Sequence, residues 1–183
     1  MAEVGSLQNW IESARQGDEQ AFLRIYRTYS SKVRGLLVQL LGPENLDDYS
    51  QEVFVRVWKG LRALREPEAF SGWIYRTTWN VAMSVRKRSA KKKAQFKELV
   101  LAESFAPRKS EPDTSLNAKI LVERALQSLD FDHRGVVVLV DLEDFSLESA
   151  AQIMNVPVGT AKSRLFYARK RLREYLEREG ITP

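Results

Sequence analysis

The sequence predicts an all-α protein made of two small helical domains joined by a flexible linker, the C-terminal one a helix-turn-helix. Three observations predict it. Apolar residues recur at steps of three and four along most of the chain, as a helix with one buried stripe requires. That period fails between about residues 97 and 117, where Pro107, Ser110, Pro112, Asp113, Thr114 and Ser115 gather. Beyond the gap, a cap, a turn and a proline follow one another at the spacing of two crossed helices. With 183 residues, 44% of them hydrophobic, and only 9 Gly and 6 Pro, the chain has material for one large core or two small ones.

In order along the chain, a short helix is centred on Leu7, Trp10, Ile11 and Ala14. A long second helix carries Phe22, Ile25, Tyr26, Tyr29, Val33, Leu36, Leu37, Leu40 and Leu41 on one stripe. Asp18 suits its N-cap, because a carboxylate accepts from the free amides of a first turn. Gly42-Pro43 ends it, because proline cannot continue the hydrogen-bond ladder. The third helix is predicted over 46–64, with Tyr49, Val53, Phe54, Val57, Trp58 and Leu61 inward. After a loop at Pro67, the fourth buries Phe70, Trp73, Ile74, Thr77, Val81 and Val85. Residues 86–97 then hold Arg86, Lys87, Arg88, Lys91, Lys92, Lys93 and Lys97 with no acid. Periodicity returns with Ile120, Leu121, Ala125 and Leu129. The run from Val136 to Val140 is β-branched enough for a buried strand. A lone strand has no partner in a helical chain, so a buried helix is predicted. The domains are drawn at 1–95 and 117–183, with 96–116 as the linker.

Composition excludes several function classes. There are no cysteines, which removes disulfide scaffolds, thiolate metal sites, thiol nucleophiles and redox switches. A single histidine, His133, removes His-cluster metal centres and leaves little room for a Ser-His-Asp triad. No stretch approaches the ~18 apolar residues of a membrane span, and Met1-Ala2-Glu3-Val4 lacks the basic-then-apolar pattern of a secretory leader. The expectation is a cytoplasmic, non-enzymatic protein with no catalytic set, no metal, no cofactor and no membrane insertion. Lys and Arg total 29 against 24 Asp and Glu, a net charge of +5 whose distribution matters more than its size.

That distribution points to DNA. Ser146 can cap a short helix bearing Leu147, Ala150, Ala151 and Met154, Asn155-Val156 supplies a turn, and Pro157 suits the start of the next helix. Small Ala150 and Ala151 let the two helices cross closely. In the second of them, Ala161, Leu165, Ala168, Leu172 and Leu176 share an inward face. At about 100° per residue, the opposite face carries Lys162, Ser163, Phe166, Tyr167, Lys170 and Arg173. Six cations and no carboxylate lie between Gly159 and Arg173. A reader of the major groove needs this combination, with cations for phosphates and polar or apolar tips for base edges. Arg164 and Arg171, beside that face, are expected on the DNA backbone. A solvated amphipathic helix would carry similar charge, but the turn spacing, the missing acids and the Phe166-Tyr167 pair favour a DNA reader.

The N-terminal domain has two further surfaces. Asp48, Gln51, Glu52 and Val55 lie opposite the buried stripe of the third helix, beside Asp47. This acidic-polar patch would repel DNA and suits a protein partner; taken alone, ordinary solubility, with Asp47 and Asp48 favoured at a helix N-terminus by the dipole, is the better reading. On the fourth helix, Tyr75, Arg76, Trp79, Met83 and Arg86 lie opposite the stripe, with Asn80 at the margin. Rings interleaved with cations are what separated strands need, since bases stack while phosphates meet Arg and Lys. Trp73 is expected in the core, and Trp79 is either core or a stacking surface.

On the residues alone, two other readings stand. A free-standing helix-turn-helix repressor would bind a palindromic operator and use its first domain to sense a ligand or dimerise; the acidic patch and the aromatic-basic helix have no task in it. Asp141, Glu143, Asp144 and Glu148 form an acidic cluster, which reads as a solvated turn rather than a catalytic site.

Three stretches in register resemble the extracytoplasmic-function (group IV) sigma factors of bacterial RNA polymerase. They are Asp48-Tyr49-Ser50-Gln51-Glu52-Val53-Phe54, then Phe70-Ser71-Gly72-Trp73-Ile74-Tyr75-Arg76 with Asn80, and Ser146–Met154 followed by Pro157–Leu165. The likeness spans about residues 7–178. It implies a region 2-like first domain that holds the clamp helices of the largest subunit of core RNA polymerase through Asp48, Gln51, Glu52 and Val55. Leu64, Arg65, Glu66 and Phe70 of the following loop would then capture the opened −10 element together with Tyr75, Arg76, Trp79, Asn80 and Arg86. A region 4-like second domain would read the −35 element of promoter DNA with Thr160, Lys162, Ser163, Arg164, Phe166, Tyr167 and Lys170. In this family a dedicated anti-sigma factor commonly masks both domains. The chain departs from the family pattern at Leu129-Asp130, where Leu-Pro is usual, at Tyr167, often arginine, and at Trp79, usually aliphatic.

Overall fold

The structure, a computed structural model, describes residues 2–99 and 118–181, and among these it is helical throughout with no strand. The N-terminal domain comprises α1 (Ala2–Arg15), α2 (Glu19–Leu41), α3 (Leu46–Gly60) and α4 (Phe70–Leu99), with 3₁₀ turns at Leu61–Ala63 and Pro67–Ala69 before α4. The C-terminal domain comprises α5 (Ala118–Gln127), α6 (Phe131–Val137) running into a π-helical turn at Val138–Leu142, α7 (Leu147–Met154) and α8 (Val158–Arg178). The proline- and serine-bearing stretch read as a linker lies outside the described residues.

The predicted caps form. Asp18 accepts from the amides of Gln20 at 2.8 Å and Ala21 at 3.1 Å, which satisfies two orphan donors of α2. Gly42 closes the same helix at φ +90°, its N–H donating to Val38 O. Asp47 and Asp48 stand in the first turn of α3, where the helix dipole favours negative charge.

Two boundaries differ from the sequence reading. The third helix ends at Gly60, and Leu61–Ala63 tighten into a 3₁₀ turn, a common way for a helix to finish. The fourth continues to Leu99, past the boundary drawn at 95. Lys and Arg are good helix formers, so the basic run changes the composition without breaking the backbone.

The N-terminal core is built from Ile11, Ile25, Leu36, Leu37, Leu40, Val53, Val57, Ile74 and Val81, all essentially without solvent contact. Aromatic edges close it: Phe22 meets Trp58 at 4.8 Å and Tyr26 meets Phe54 at 4.6 Å between ring centroids. In the C-terminal domain the β-branched run is helical, with Val136 to Leu139 buried against α7 and α8. Asp130, where the family that the sequence resembles usually has proline, caps α6 by accepting from the amide of His133 at 3.1 Å. A proline would preset the backbone of a helix start, whereas an aspartate satisfies an amide there; both begin the helix.

The two domains are closed on one another, an arrangement the sequence left open. A single connected apolar cluster runs from Ile11 of α1 to Ala168 of α8. The contact is made mainly by α4 against α7, with α2 touching α5, α6 and the π-helical turn.

Candidate nucleic-acid interface

The outer face of α8 is positioned by a turn whose geometry is local. Ser146 accepts from the amide of Ser149 at 3.1 Å and starts α7. Asn155 adopts the left-handed conformation at φ 55°, which asparagine tolerates better than most residues, and its N–H closes the end of α7. Pro157 immediately precedes α8. Ala150 and Ala151 are buried at the crossing, and Ala161, Leu165 and Ala168 anchor α8 beneath.

Every side chain assigned to the opposite face projects outward. Lys162, Ser163, Lys170 and Arg173 are exposed and Thr160 is half-buried. Phe166 and Tyr167 are 65% and 55% exposed, edge to face at 5.4 Å. So large an aromatic pair in water is unusual on a surface with no partner. The flanking arginines are tied down by their own domain. Arg169 donates two hydrogen bonds to Asp141 at 2.5 and 3.1 Å, Arg164 reaches Asp132 at 3.2 Å, and Arg171 reaches Asp130 at 3.1 Å. Among the described residues no ion partner is recorded for Lys162 or Arg173, so the outermost cations are the ones available to phosphate.

The second candidate surface, on α4, is divided. Arg65, Glu66, Arg76, Asn80 and Arg86 are exposed. Phe70 is fully buried, its ring 5.2 Å from Tyr29, because the first turn of α4 packs on α2; Leu64 is buried as well. Neither presents a side chain to a strand in this arrangement. Tyr75 and Trp79 are only 6% and 3% exposed, and what covers them is the C-terminal domain. The Tyr75 hydroxyl donates to Glu143 Oε2 at 2.5 Å, and its ring meets Phe145 at 4.7 Å. Burial, then the Glu143 carboxylate, push the Tyr75 hydroxyl well above its ordinary pKa. Trp79 lies 4.9 Å from the ring of Phe131 and directly over Gly135. Its position is thus core with respect to the closed chain. Trp73, expected in the core, is half-buried at its edge. The acidic cluster is not a solvated turn: Glu143 serves Tyr75, Asp141 serves Arg169, and only Asp144 and Glu148 are free in water.

The acidic-polar patch of α3 survives in part. Asp48, Gln51 and Val55 are exposed. Glu52 is held by Arg56 of α3 at 2.5 Å and by Arg88 of α4 at 2.9 Å. Burial raises its pKa, but the bond and charge of Arg88, followed by Arg56, outweigh this and leave the carboxyl below its usual range. Asp47 pairs with Arg34 of α2. Beside the patch, a groove between α2 and α3 is floored by Phe22, Tyr26, Phe54 and Trp58 and rimmed by Gln51 and Val55. The sequence reading placed Phe22 and Tyr26 within the buried stripe. The one available signal was that this stripe is too wide for a single buried face, which leaves its edge residues in water.

Comparison with known proteins gives these surfaces a common context. The family model for Sigma-70 region 2 matches residues 25–92, and that for Sigma-70 region 4 matches residues 125–174. The ECF RNA polymerase sigma-E factor of Escherichia coli K12 is 30% identical over 93% of this chain and 94% of its own length. The ECF RNA polymerase sigma-E factor of Haemophilus influenzae is 29% identical over 97% of this chain and 98% of its own. Among solved structures, the sigma factor RpoE in complex with the anti-sigma factor NepR from Bartonella quintana superposes with a TM-score of 0.67. It is 25% identical over 85% of this chain and 96% of that one.

Proposed function

The chain belongs to the extracytoplasmic-function sigma factors of RNA polymerase, and from that premise we propose how its surfaces divide the work of starting transcription. A sigma factor is a transcription initiation factor: it lends promoter selection and strand separation to core polymerase. Here α8 enters the major groove of the −35 element. Lys162, Ser163, Phe166 and Tyr167 face base edges, while Thr160, Arg164 and Lys170 lie along the backbone. Each arginine of the flank already holds a carboxylate of its own domain, which fixes the angle at which the helix presents itself.

The exposed face of α4 takes the opened −10 strand. Asn80 is exposed and free in the closed chain, Arg76 and Arg86 are exposed while meeting Asn155 and Phe131 of the C-terminal domain, and Tyr75 and Trp79 join them when that domain moves away. The loop from Leu64 to Glu66 lies beside this face and borders the flipped bases; Phe70 supports that loop from within the core. Asp48, Gln51, Glu52 and Val55, with the aromatic groove of α2 and α3 alongside, form the docking surface for the clamp helices of the largest polymerase subunit. Acidic groups at the rim and rings on the floor fit a helical partner with basic and apolar residues. An anti-sigma factor controls the protein by occupying these surfaces, and the whole cycle takes place in the cytoplasm with the polymerase.

The observation that carries the reading is the outward Phe166-Tyr167 pair flanked by Lys162, Lys170 and Arg173 on a helix set by a helix-turn-helix. Run-off transcription on a randomised promoter library tests it. Core polymerase with this protein should yield transcripts from a shared pair of promoter elements. A protein that binds a palindromic operator tightly and neither joins core polymerase nor directs transcripts would instead be a repressor.

A further inference from the structure

The first third of α4 carries Phe70, Trp73, Tyr75 and Trp79, and the helix then runs on without rings. From Asn80 to Lys91 there is none, over about 18 Å at 1.5 Å per residue. Among the described side chains of α4, Val85 is the last that is buried, and Arg86 to Lys91 all lie in water. Arg86, Lys87, Arg88 and Lys91 supply charge there, with no acid among them. At about 100° per residue, Lys87 and Lys91 continue the line of Arg76 and Asn80. Separated strands need rings as well as cations, because their bases are unstacked. Paired DNA keeps its bases stacked inside and offers phosphates. Cations without rings therefore suit the paired DNA that borders the opened segment.

One of these cations is held back. Arg88 lies further round the helix, on the side toward α3, and its guanidinium donates to Glu52 Oε2 at 2.9 Å. Arg56 takes the other oxygen of the same carboxylate at 2.5 Å. Both oxygens of Glu52 are thus engaged, and a basic group arriving from the polymerase has to displace one arginine. Arg56 stands one turn along the same helix and moves with Glu52. Arg88 reaches in from another helix, at the longer distance, with 58% of its side chain in water against 43% for Arg56. Arg88 is the one that yields.

We propose that Arg88 is shared between two partners: Glu52 holds it in the free protein, and it turns to the phosphates of paired DNA, beside Lys87 and Lys91, when a basic side chain of the polymerase takes that carboxylate. The proposal rests on the assignment of Glu52 to the docking surface made above. Once released, Arg88 has Lys91 as its neighbour three residues on, and like charges at that spacing repel. A phosphate lying across them relieves the repulsion. Docking thereby adds one phosphate contact, so the holoenzyme grips paired DNA with a residue that the free protein withholds.

Salt titration counts such a contact, since each phosphate neutralised on duplex DNA steepens the fall of log affinity with log salt by about 0.9. Fluorescence anisotropy of a random-sequence duplex pool gives this slope for full-length protein. Glu52→Ala, which releases Arg88 without polymerase, should be steeper than the parent by about 0.9. Glu52→Ala combined with Arg88→Ala restores the parental net charge and should restore the parental slope. Asp48→Ala makes the same charge change in the same patch, touches no arginine of α4, and should leave the slope alone. Circular dichroism follows the fold, and Glu52→Gln takes the place of alanine should helix content fall. In holoenzyme on promoter DNA, Arg88→Ala should lower the slope by about 0.9; in the free protein it should be silent. An equal effect in both forms overturns the exchange, as does an unchanged slope in Glu52→Ala or a steeper one that survives loss of Arg88. A single-stranded pool that gains as much as the duplex overturns the assignment to paired DNA. Failure of the docking reading is seen separately, in a pull-down with core polymerase. If Glu52→Ala assembles as the parent does, that reading fails and the proposal with it; if assembly is impaired while the slope stays put, only the exchange falls.

Discussion

Replacing Arg134 by alanine should be among the costliest single changes in the C-terminal domain. Its guanidinium donates to four backbone carbonyls: Leu126 at 2.8 Å, Gln127 at 3.1 Å, Leu129 at 2.8 Å and, across the domain contact, Leu40 at 2.8 Å. These oxygens belong to the last turns of α5 and α2, or lie just beyond them, where intrahelical partners run out and the dipole leaves partial negative charge. Burial lowers the pKa of Arg134, with Asp130 opposing the shift, yet an arginine remains charged. Hydrogen bonds from a charged donor contribute roughly 1.5–3 kcal/mol each. Water can reach half-buried carbonyls once the side chain is gone, so roughly 1 kcal/mol per bond is the fair figure. Arg134→Ala should therefore cost about 3–4 kcal/mol, of which about 1 kcal/mol belongs to the contact between domains. Urea unfolding followed by circular dichroism measures it, with Arg134→Lys alongside. An ammonium group cannot span four acceptors spread around a planar fork, so lysine should restore less than half of the loss. A cost below about 1 kcal/mol, or a lysine as good as arginine, would refute the account.

Other expectations follow from the three surfaces. Lys162→Ala or Tyr167→Ala should cost about 1–3 kcal/mol against the preferred −35 sequence and alter the preference itself; equal weakening on every sequence would assign both to phosphate. Val55→Asp, on the exposed rim of the α2–α3 groove, should abolish assembly with core polymerase in a pull-down and leave the melting curve unchanged. Retained assembly removes the groove from the docking surface. Acid should weaken the fold through Asp130: burial raises its pKa, but the backbone and side chain of His133, then Arg171, leave it depressed. A depressed carboxyl contributes stability above its unfolded pKa, and that contribution fades as the pH falls through the folded value. Thermal melts should thus be steady above about pH 5 and decline below about pH 4, and less steeply in Asp130→Asn. An identical slope in that variant would dissociate Asp130 from the decline.

Much of the C-terminal domain was legible because its determinants are local. Ser146, Asn155 and Pro157 act within a few residues of themselves, and the phase of Ala161, Leu165 and Ala168 fixes what the other side of α8 presents. The N-terminal surfaces were read less completely, for two physical reasons. Periodicity locates the centre of a buried stripe but not its edges, so Phe22 and Tyr26 were counted inward although they floor an open groove. Periodicity also describes one helix at a time, so the fate of Tyr75 and Trp79 depended on a surface contributed by α6 and α7. Glu143 shows the same limit from the other side: its neighbours in sequence are acidic, whereas its partner in space is a phenol. The end of α4 escaped notice because a change of composition was taken for a change of backbone.

Gly135 has one more implication. Inside a helix, glycine is about 1 kcal/mol less favourable than alanine, since it loses more chain entropy on ordering. A protein engineer seeking heat resistance would therefore choose alanine at that site early, and α6 by itself would gain. The same methyl would strike the Trp79 indole in the closed chain, so what the helix gains the contact between domains loses.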